Sequence, residues 1–411
     1  MTRDISGRFR PKGFSAAPCR CSPSLLEATR SVVLVVAAGT AGMVGWNGDP
    51  RTLPVALVFP ALWGLSRSRW TAAAVATAYF LAASRGLPQG VVTFFGTSVL
   101  LGVALWIGAA LAFVGVHAGL WSSRPGWGRV VRYAVAAVLM AVPPFGIVGW
   151  AHPITAAGIL FPAWGWWGLG ATATLMLTAT TRARPAALAL VAGLTLWSSM
   201  TWTDPPGFQG WIGLDLRFGR ALGRDFGMDQ HEALITAVRG AAAAGARVVV
   251  LPENALGLWT PTIGAFWRDR LRDLDVEVVA GATVVHRDGY DNVVVAIDHD
   301  GAWIVHRQRM PVPVSMWRPW LSWLGEPGGA RAEFFGASAF GIGGRRVAPL
   351  VCYEQLLVWP ILQSMAQKPD LIVAIGNGWW TAGTNIAAIQ TASSTAWARL
   401  FGLPLVASFN R

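Results

Sequence analysis

The sequence contains little charge and few cysteines. Only 13% of its 411 residues are charged, whereas 54% are hydrophobic. This composition excludes an ordinary soluble globular chain and indicates a polytopic membrane protein. Cys19, Cys21 and Cys352 are the only cysteines, so a disulfide framework in the second half of the chain is excluded. Because Cys19 and Cys21 have no further ligand residues nearby, we expect neither a metal site nor a cofactor.

Lysine is also scarce, and the excess of positive charge is confined to the first half. Lys12 and Lys368 are the only lysines, so the basic residues are almost all arginines. Residues 1–203 carry 15 Lys+Arg against 3 Asp+Glu, whereas residues 204–411 carry 18 of each. A phosphate-binding surface normally needs a basic excess, so the neutral second half argues against direct nucleic-acid binding.

The first half is predicted to be a membrane domain of about seven helices. Residues 1–30 form a basic tail, and residues 31–203 contain apolar segments at 31–46, 53–66, 70–84, 91–118, 131–150, 154–179 and 185–203. The first three are shorter than the ~20 residues that a spanning helix prefers, so one of them could be re-entrant. If the tail is cytoplasmic, the inner loops carry Arg67, Arg69, Arg124, Arg129, Arg132, Arg182 and Arg184, and the outer loops only Arg51 and Arg85. This asymmetry predicts a multi-pass protein of the bacterial inner membrane, with residues 204–411 in the periplasm.

The second half, residues 204–411, is predicted to be one α/β domain. It begins after the break at 205–207, where two prolines and a glycine interrupt the apolar pattern. Predicted strands lie at 210–218, 246–251, 276–285, 292–298, 302–307, 345–352, 371–375 and 403–408, and a predicted helix lies at 229–244. Strands that alternate with helices indicate an α/β or layered α+β domain.

A short apolar run, Val347–Glu354, predicts a buried strand that delivers a thiol at Cys352. Cys352, Glu253 and Arg307 each follow or end a predicted strand. Together they would supply a nucleophile, a proton acceptor and a cation for an oxyanion, which is the set that acyl transfer needs. Other interpretations stay open: an inert core cysteine, a helix-capping Glu253 and a solvated Arg307. Glu354 either pairs with a buried arginine or backbone N–H groups, or supports catalysis from behind the reacting groups.

Several motifs resemble those of the nitrilase, or carbon-nitrogen hydrolase, superfamily over about residues 210–411. They are Leu251–Asn254, Arg307–Pro313, Val351–Glu354, Asn377–Trp380 and Ala398–Pro404. The resemblance implies an αββα sandwich, a thioester acyl-enzyme at Cys352 and Glu253 as the general base. It also assigns supporting or substrate-positioning roles to Tyr353, Glu354, Asn377 and Trp379.

The membrane half combined with these motifs resembles the apolipoprotein N-acyltransferases and, more narrowly, the TraB-type conjugal transfer proteins. This layout implies a Cys-dependent acyltransferase or amidase, with a lipoprotein or an amine as the acceptor. Arg307 stands where the family's catalytic lysine is expected, and arginine does not readily release a proton. The alternative is therefore a catalytically impaired accessory or scaffold protein that contacts the conjugation machinery.

Apolar residues crowd a proline-broken stretch directly after Arg307. The stretch includes Met316, Trp317, Trp320 and Trp323, and Pro311, Pro313 and Pro319 prevent a regular core element there. It is either packed core or an arm that touches the bilayer, and we favour the arm. A lipid-facing arm predicts membrane lipids as partners and a lipid or lipid-linked acyl donor.

Overall fold

The computed structural model describes residues 23–219 and 227–411. The first 22 residues of the predicted tail lie outside this range. The first half is helical, with α1 (Pro23–Gly45), α2 (Val58–Leu65), α3 (Arg69–Ala83), α4 (Leu87–Phe95), α5 (Val99–Gly119), α6 (Trp127–Ala141), α7 (Ala157–Leu160), α8 (Gly165–Ala179) and α9 (Arg184–Met200). Because α1 starts at Pro23, the last residues of the predicted tail are helical.

The predicted segments agree with these helices in position but not in length. The predicted segment 91–118 is two helices, because Gly96 adopts a left-handed conformation, with φ of 62°, at the end of α4. The predicted segment 154–179 begins as the 3₁₀ turn Pro153–Ala156 and the short helix α7. Within the described residues, Leu26–Gly45 and Val99–Gly119 are the helices long and apolar enough to cross a membrane.

The second half contains nine strands in two sheets and four helices within its described residues. The strands are β1 (Trp211–Gly213), β2 (Val248–Val250), β3 (Glu277–His286), β4 (Gly289–Ile297), β5 (Ala302–Arg307), β6 (Phe340–Ile342), β7 (Arg345–Val351), β8 (Leu371–Asn377) and β9 (Leu405–Asn410). The helices are α10 (Met228–Ala243), α11 (Pro261–Leu271), α12 (Val358–Met365) and α13 (Ile386–Phe401). The sheet orders are β1-β2-β3-β4-β5 and β6-β7-β8-β9. The pairs β1-β2, β2-β3, β7-β8 and β8-β9 are parallel, and the other three pairs are antiparallel.

The two sheets pack face to face with helices on both outer sides. Valines of β2 and β4 meet apolar residues of β7 and β8 in a dry layer between the sheets, for example Val250, Val294, Val351 and Val373. Helices α10 and α11 cover the first sheet. Helices α12 and α13 cover the second sheet. The predicted αββα sandwich is therefore confirmed, because each sheet buries one face on the other and the second face under helices.

The two halves of the chain share one hydrophobic core. Residues of α1, α3 and α7 belong to the same buried cluster as residues of α12 and α13. Gly158 of α7 lies directly against α13, because a Cβ atom at this position would lie 1.6 Å from the carbonyl oxygen of Ala396. The side chain of Arg399 in α13 donates to the carbonyl of Gly158 and to Ser198 in α9, at 3.4 and 3.1 Å. The predicted boundary at residue 204 is thus a change of secondary structure and not a gap between separate cores.

Candidate active site

Cys352 occupies a sharp turn between β7 and the 3₁₀ helix Cys352–Leu356. Its φ is 50°, a left-handed conformation that costs free energy for a residue with a Cβ atom. The side chain is 5% exposed and faces the interior of the sandwich. A strand, a strained turn and a helical turn together present a thiol at the edge of a sheet, as the sequence predicted.

Glu253 follows β2 and lies next to Cys352. Its two carboxylate oxygens accept hydrogen bonds from the Asn292 amide at 2.6 Å and from the Asn377 backbone N–H at 3.0 Å, and the Cys352 thiol also donates to this carboxylate. Burial raises the pKa of Glu253, and these three donors oppose the rise. The carboxylate is thus held in place and prepared to accept a proton.

The Cys352 thiol rests in its protonated form. Burial raises its pKa well above the ordinary value, and the nearby Glu253 charge and hydrogen bond raise it further. The amide nitrogen of Gln390, on α13, lies 3.9 Å from the sulfur as a donor. Together, Glu253 and Cys352 form a pair in which the carboxylate can take the thiol proton.

Arg307, the predicted catalytic cation, is engaged with other residues than the Cys352–Glu253 pair. Its guanidinium pairs with Asp291, which Arg331 and His286 also contact, at 2.7 and 3.0 Å. Arg307 is 36% exposed and is not among the described residues that line the cavity at Cys352. The buried Asp291 therefore uses this arginine in an ion-pair cluster at the sheet edge.

Gln308 occupies the place where the sequence suggested a cation. Its amide oxygen accepts from Asn292 at 3.0 Å, and its amide nitrogen donates to the Val351 carbonyl at 3.1 Å. Asn292 in turn donates to Glu253, so a buried amide chain connects the carboxylate to the backbone beside Cys352. Asn292 and Gln308 thus place two neutral amides beside the Cys352–Glu253 pair.

Glu354 fixes the turn that carries Cys352. One oxygen accepts from the backbone N–H groups of Arg309 and Met310 at 2.6 and 3.2 Å, and the other accepts from Val351 N–H at 3.1 Å. The Arg309 guanidinium lies 3.6 Å from this carboxylate, and both side chains are 0% exposed. Of the two interpretations left open for Glu354, the structure supports the pairing with a buried arginine and backbone N–H groups.

The other predicted supporting residues, Asn377, Tyr353 and Trp379, have different contacts. Asn377 supplies the backbone donor to Glu253, and its side chain accepts from Asn410 at 2.8 Å. The Tyr353 hydroxyl donates to the Ile147 carbonyl of the helical half at 2.6 Å. Trp379 lines the cavity and stacks on Phe94 of α4, with ring centroids 5.9 Å apart.

A cavity of about 990 Å³ extends from Cys352 toward the helical half. The inner end carries Glu253, Cys352, Asn377 and Gln390, whereas the rest is mainly apolar. Helices α4 and α5 contribute the apolar wall with Leu87, Gly90, Val91, Phe94, Leu105 and Gly108. The Cys352 thiol therefore opens into a mainly apolar cavity that is formed jointly by both halves of the chain.

The residues predicted to form one lipid-facing arm have three different environments. Met316 lines the cavity, and Trp317 packs edge-on against Phe334, with ring centroids 5.6 Å apart. Trp320 and Trp323 lie on the 3₁₀ helix Pro319–Leu324 and are exposed, Trp323 to 85%. Met316 and Trp317 therefore do not lie on one exposed arm with Trp320 and Trp323, and contact of these four residues with lipid stays a prediction.

Sequence reasoning missed the polar residues Asn292, Gln308 and Gln390 that surround Glu253 and Cys352. Asn292 lies in strand β4 between Asp291 and three consecutive valines, and a polar residue at the start of such an apolar run is a signal for a buried polar contact. Gln308 directly follows Arg307, and the sequence does not show which of these two side chains lies beside Asn292 and Val351. Gln390 lies on a buried face of α13, and no sequence pattern around it predicts a polar contact.

Comparisons with known proteins identify the family of this chain. The sequence profile of the carbon-nitrogen hydrolase family matches residues 81–208 and 268–399; Glu253 lies between the two matched segments. A conjugal transfer protein TraB from Agrobacterium fabrum is 52% identical over 420 residues and is covered completely, as is this chain. A probable conjugal transfer protein TraB from Sinorhizobium fredii is 53% identical over 92% of this chain and 97% of its own length.

Among solved structures, a nitrilase-superfamily amidase from Nesterenkonia is similar at 15% identity, over 49% of this chain and 74% of its own, with a TM-score of 0.35. A carbon-nitrogen hydrolase from Helicobacter pylori is similar at 16% identity, over 48% and 72% of the two chains, with a TM-score of 0.36. The profile match and the relatives that align along the whole length carry the conclusion. This chain belongs to the carbon-nitrogen hydrolase family, in the branch that includes the conjugal transfer proteins TraB.

Proposed function

We propose that this protein is a membrane-bound acyltransferase or amidase that forms a thioester at Cys352 from a lipid or lipid-linked acyl group. The observation that carries the proposal is the contact between Glu253 and Cys352 at the inner end of an apolar cavity. A carboxylate that accepts the thiol proton is what a buried cysteine needs to become a nucleophile. A TraB-like role in conjugation is the corresponding cellular function, since two relatives along the whole chain carry that name.

In the first half-reaction, Glu253 takes the Cys352 proton while the sulfur attacks the acyl carbonyl carbon. The tetrahedral intermediate collapses with loss of the alcohol or amine, which leaves with the proton from Glu253, and a thioester remains. In the second half-reaction, Glu253 deprotonates an amine or water that attacks the thioester. The Cys352 sulfur then leaves and recovers its proton from Glu253.

The oxyanion of each intermediate needs donors other than Arg307. The first N–H groups of the 3₁₀ helix at Cys352 have no carbonyl partner within that helix, and the Gln390 amide is a donor beside the sulfur. These dipoles are fixed by packing, so they need no reorganisation during the reaction. A neutral oxyanion site is weaker than one with a cation, which implies a slow enzyme.

The lipid nature of the acyl group is supported by the wall of the cavity. Helices α4 and α5 supply apolar side chains that can surround an alkyl chain, and α5 has the length and composition of a membrane-crossing helix. Exposed apolar side chains continue along the outer faces of α1, α5, α6 and α9, for example Val33, Leu100, Val135 and Leu196. Such continuous apolar surface is expected of helices that contact a bilayer.

The predicted multi-pass orientation is supported by the arginines at one end of the helical half. Arg30 donates to the Leu65 carbonyl at 3.2 Å, and Arg129 donates to the Gly64 carbonyl at 2.7 Å. Gly64 packs closely on Thr180, so three predicted inner loops meet at one end. Basic residues gathered at one end fit the cytoplasmic side of an inner-membrane protein, with the nitrilase-like half on the periplasmic side.

A second candidate function is an accessory protein of conjugation without catalytic turnover. The observation that favours it is the amide of Gln308 in place of a cation beside Asn292 and Val351. Without a positive charge near the sulfur, the thiolate is less stable, and acyl transfer slows. The polar contacts of Glu253 are nevertheless complete, which favours the enzyme.

The test is intact-protein mass spectrometry of the full chain in neutral detergent after incubation with bilayer phospholipids. We expect a hydroxylamine-sensitive acyl adduct on Cys352 that is lost in Cys352→Ala and slowed in Glu253→Gln. Cys19 and Cys21 are changed to serine in all samples, so that any thioester reports on Cys352. If no adduct forms and Cys352 reacts with iodoacetamide no faster than an ordinary thiol, the accessory role replaces the enzyme.

A further inference from the structure

Arg318 is the single cation among the described residues that line the cavity, and Glu253 is the single anion. Two backbone hydrogen bonds fix the segment that carries Arg318. The Arg318 N–H donates to the Gly328 carbonyl at 2.8 Å, and the Met316 carbonyl accepts from Ala330 at 2.7 Å. The main chain that carries Arg318 is therefore fixed at the cavity and is not a free loop.

The Arg318 guanidinium has no anionic partner in the described part of the chain. It forms none of the ion pairs there, whereas nearby Arg307 and Arg331 both contact Asp291. Its Nε atom is buried and has no hydrogen-bond partner. A buried donor without an acceptor costs free energy, and that cost is recovered when an acceptor enters from the cavity.

Tyr290 connects the two charged groups of the cavity. Its side chain lines the same cavity, and its pKa is raised to about 12, mainly by burial, with the Glu253 charge adding to the rise and the Arg318 charge opposing it. Both charges therefore act on one phenol, and the three residues line one cavity. A ligand that reaches the Cys352–Glu253 pair with a neutral group can reach Arg318 with another group.

We propose that Arg318 binds the phosphate of an anionic amphiphile whose alkyl chain lies along α4 and α5. The charge complementarity selects this ligand, because a cationic headgroup would be repelled and an uncharged one would leave the Arg318 charge without an anionic partner. A guanidinium binds phosphate oxygens with two parallel N–H groups, which also orients the ligand. The inference rests on the proposed function and narrows its acyl donor to phosphate-bearing lipids, with Arg318 as the specificity-determining residue.

The test measures binding without chemistry. Full-length Cys352→Ala protein in neutral detergent is titrated with dodecyl phosphate, dodecanol, dodecyltrimethylammonium and inorganic phosphate, and bound ligand is counted by native mass spectrometry. We expect dodecyl phosphate to bind about tenfold or more tightly than dodecanol, because hydrogen bonds to charged groups are strong. Dodecyltrimethylammonium should bind more weakly than dodecanol, and inorganic phosphate should bind far more weakly than dodecyl phosphate, since it lacks the buried chain.

Two variants decide whether Arg318 is responsible. Arg318→Gln should bring dodecyl phosphate and dodecanol to equal affinity, and Arg318→Lys should retain part of the preference. Arg345→Gln is the control, because Arg345 is an exposed arginine of β7 that is not among the described residues lining the cavity. It should retain the full preference.

Three results would overturn the inference: equal affinities for the phosphate and the alcohol, a preference that survives Arg318→Gln, or inorganic phosphate binding as tightly as dodecyl phosphate. Failure of acyl transfer is a separate outcome. If phospholipids give no adduct at Cys352 while dodecyl phosphate binds in an Arg318-dependent manner, the anion site stands and the proposed chemistry fails.

Discussion

At the scale of residues, the protonation of Glu253 and Cys352 determines whether the site can react. Burial raises the pKa of both groups, so the competent state, a carboxylate beside a thiol, exists only above the raised Glu253 pKa. A folded-state pKa above the unfolded value means that the folded chain holds this proton more tightly. The stabilisation from Glu253 is therefore present at low pH and is lost as pH rises from the ordinary carboxyl range through the raised pKa.

The raised pKa of Glu253 predicts how the alkylation rate of Cys352 depends on pH. In a chain with Cys19 and Cys21 changed to serine, the rate with iodoacetamide should fall as pH is lowered through the raised Glu253 pKa, because the base becomes protonated. Glu253→Gln should react slowly at every pH and lack this limb. A wild-type rate that follows only the ordinary titration of a free thiol would contradict the coupling between the two groups.

Gln308 and Arg307 make a matched pair for testing the corrected site. Gln308→Ala removes the amide between Asn292 and the Val351 carbonyl, and we expect acylation of Cys352 to slow about 10–100-fold, as for other groups that orient reacting side chains. Arg307→Ala should leave the acylation rate unchanged and cost about 0–1 kcal/mol of stability, since its ion pair is partly exposed. Mass spectrometry of the adduct over time measures both rates. A large loss of rate in Arg307→Ala would restore Arg307 as the catalytic cation.

The sequence identified Cys352 and Glu253 because each ends a recognisable strand, but it could not distinguish Arg307 from Gln308. A register shift in the β4-β5 pairing explains this. Val294 pairs with His306 while its neighbour Val295 pairs with Ile304, so one extra residue of β5 lies at the irregularity. Such a bulge changes which side chains face the site, and alternation in the sequence does not reveal it.

At the scale of elements, α4 and α5 determine how long an alkyl chain the cavity can hold. Gly108 on α5 lines the cavity, and a Cβ atom there would meet nothing within 4 Å. Gly115 on the same helix is equally open and is not among the described lining residues. The predicted segment 91–118 did not separate these helices, because a left-handed glycine within an apolar run gives no composition signal.

Gly108→Leu should therefore shorten the alkyl chain that binds best. In the wild type, affinity should rise about fourfold for each added methylene until the cavity is filled. In Gly108→Leu this rise should stop at a shorter chain, because the new side chain occupies the same space. Gly115→Leu, which changes helix propensity equally, should behave as the wild type. Titration with alkyl phosphates from octyl to hexadecyl measures the point at which affinity stops rising, and equal behaviour of the two variants would show that the chain lies elsewhere.

At the scale of the whole molecule, the nitrilase-like fold is joined to the helical half through α12 and α13. Strand and helix patterns are local signals, so they predicted a helical first half and an α/β second half, whereas the sandwich was implied by the family resemblance. The sequence did not predict the shared core, because the contact between α7 and α13 pairs glycine and alanine positions far apart in the chain. A separate hydrogen bond, from the Tyr353 hydroxyl to the Ile147 carbonyl, connects the Cys352 turn to the helical half.

Gly158→Ala tests whether the two halves depend on each other, because its Cβ atom would lie 1.6 Å from the Ala396 carbonyl oxygen and must push α7 and α13 apart. We expect a loss of about 1–3 kcal/mol in stability and slower acylation of Cys352, although neither residue touches the thiol. Gly170→Ala is the control, since a Cβ atom at that position of the helical half meets nothing within 4 Å. Thermal unfolding and the alkylation rate of Cys352 measure the two effects. If Gly158→Ala unfolds and reacts as the control does, the two halves are energetically independent, and the helical half acts only as an anchor for a self-sufficient site.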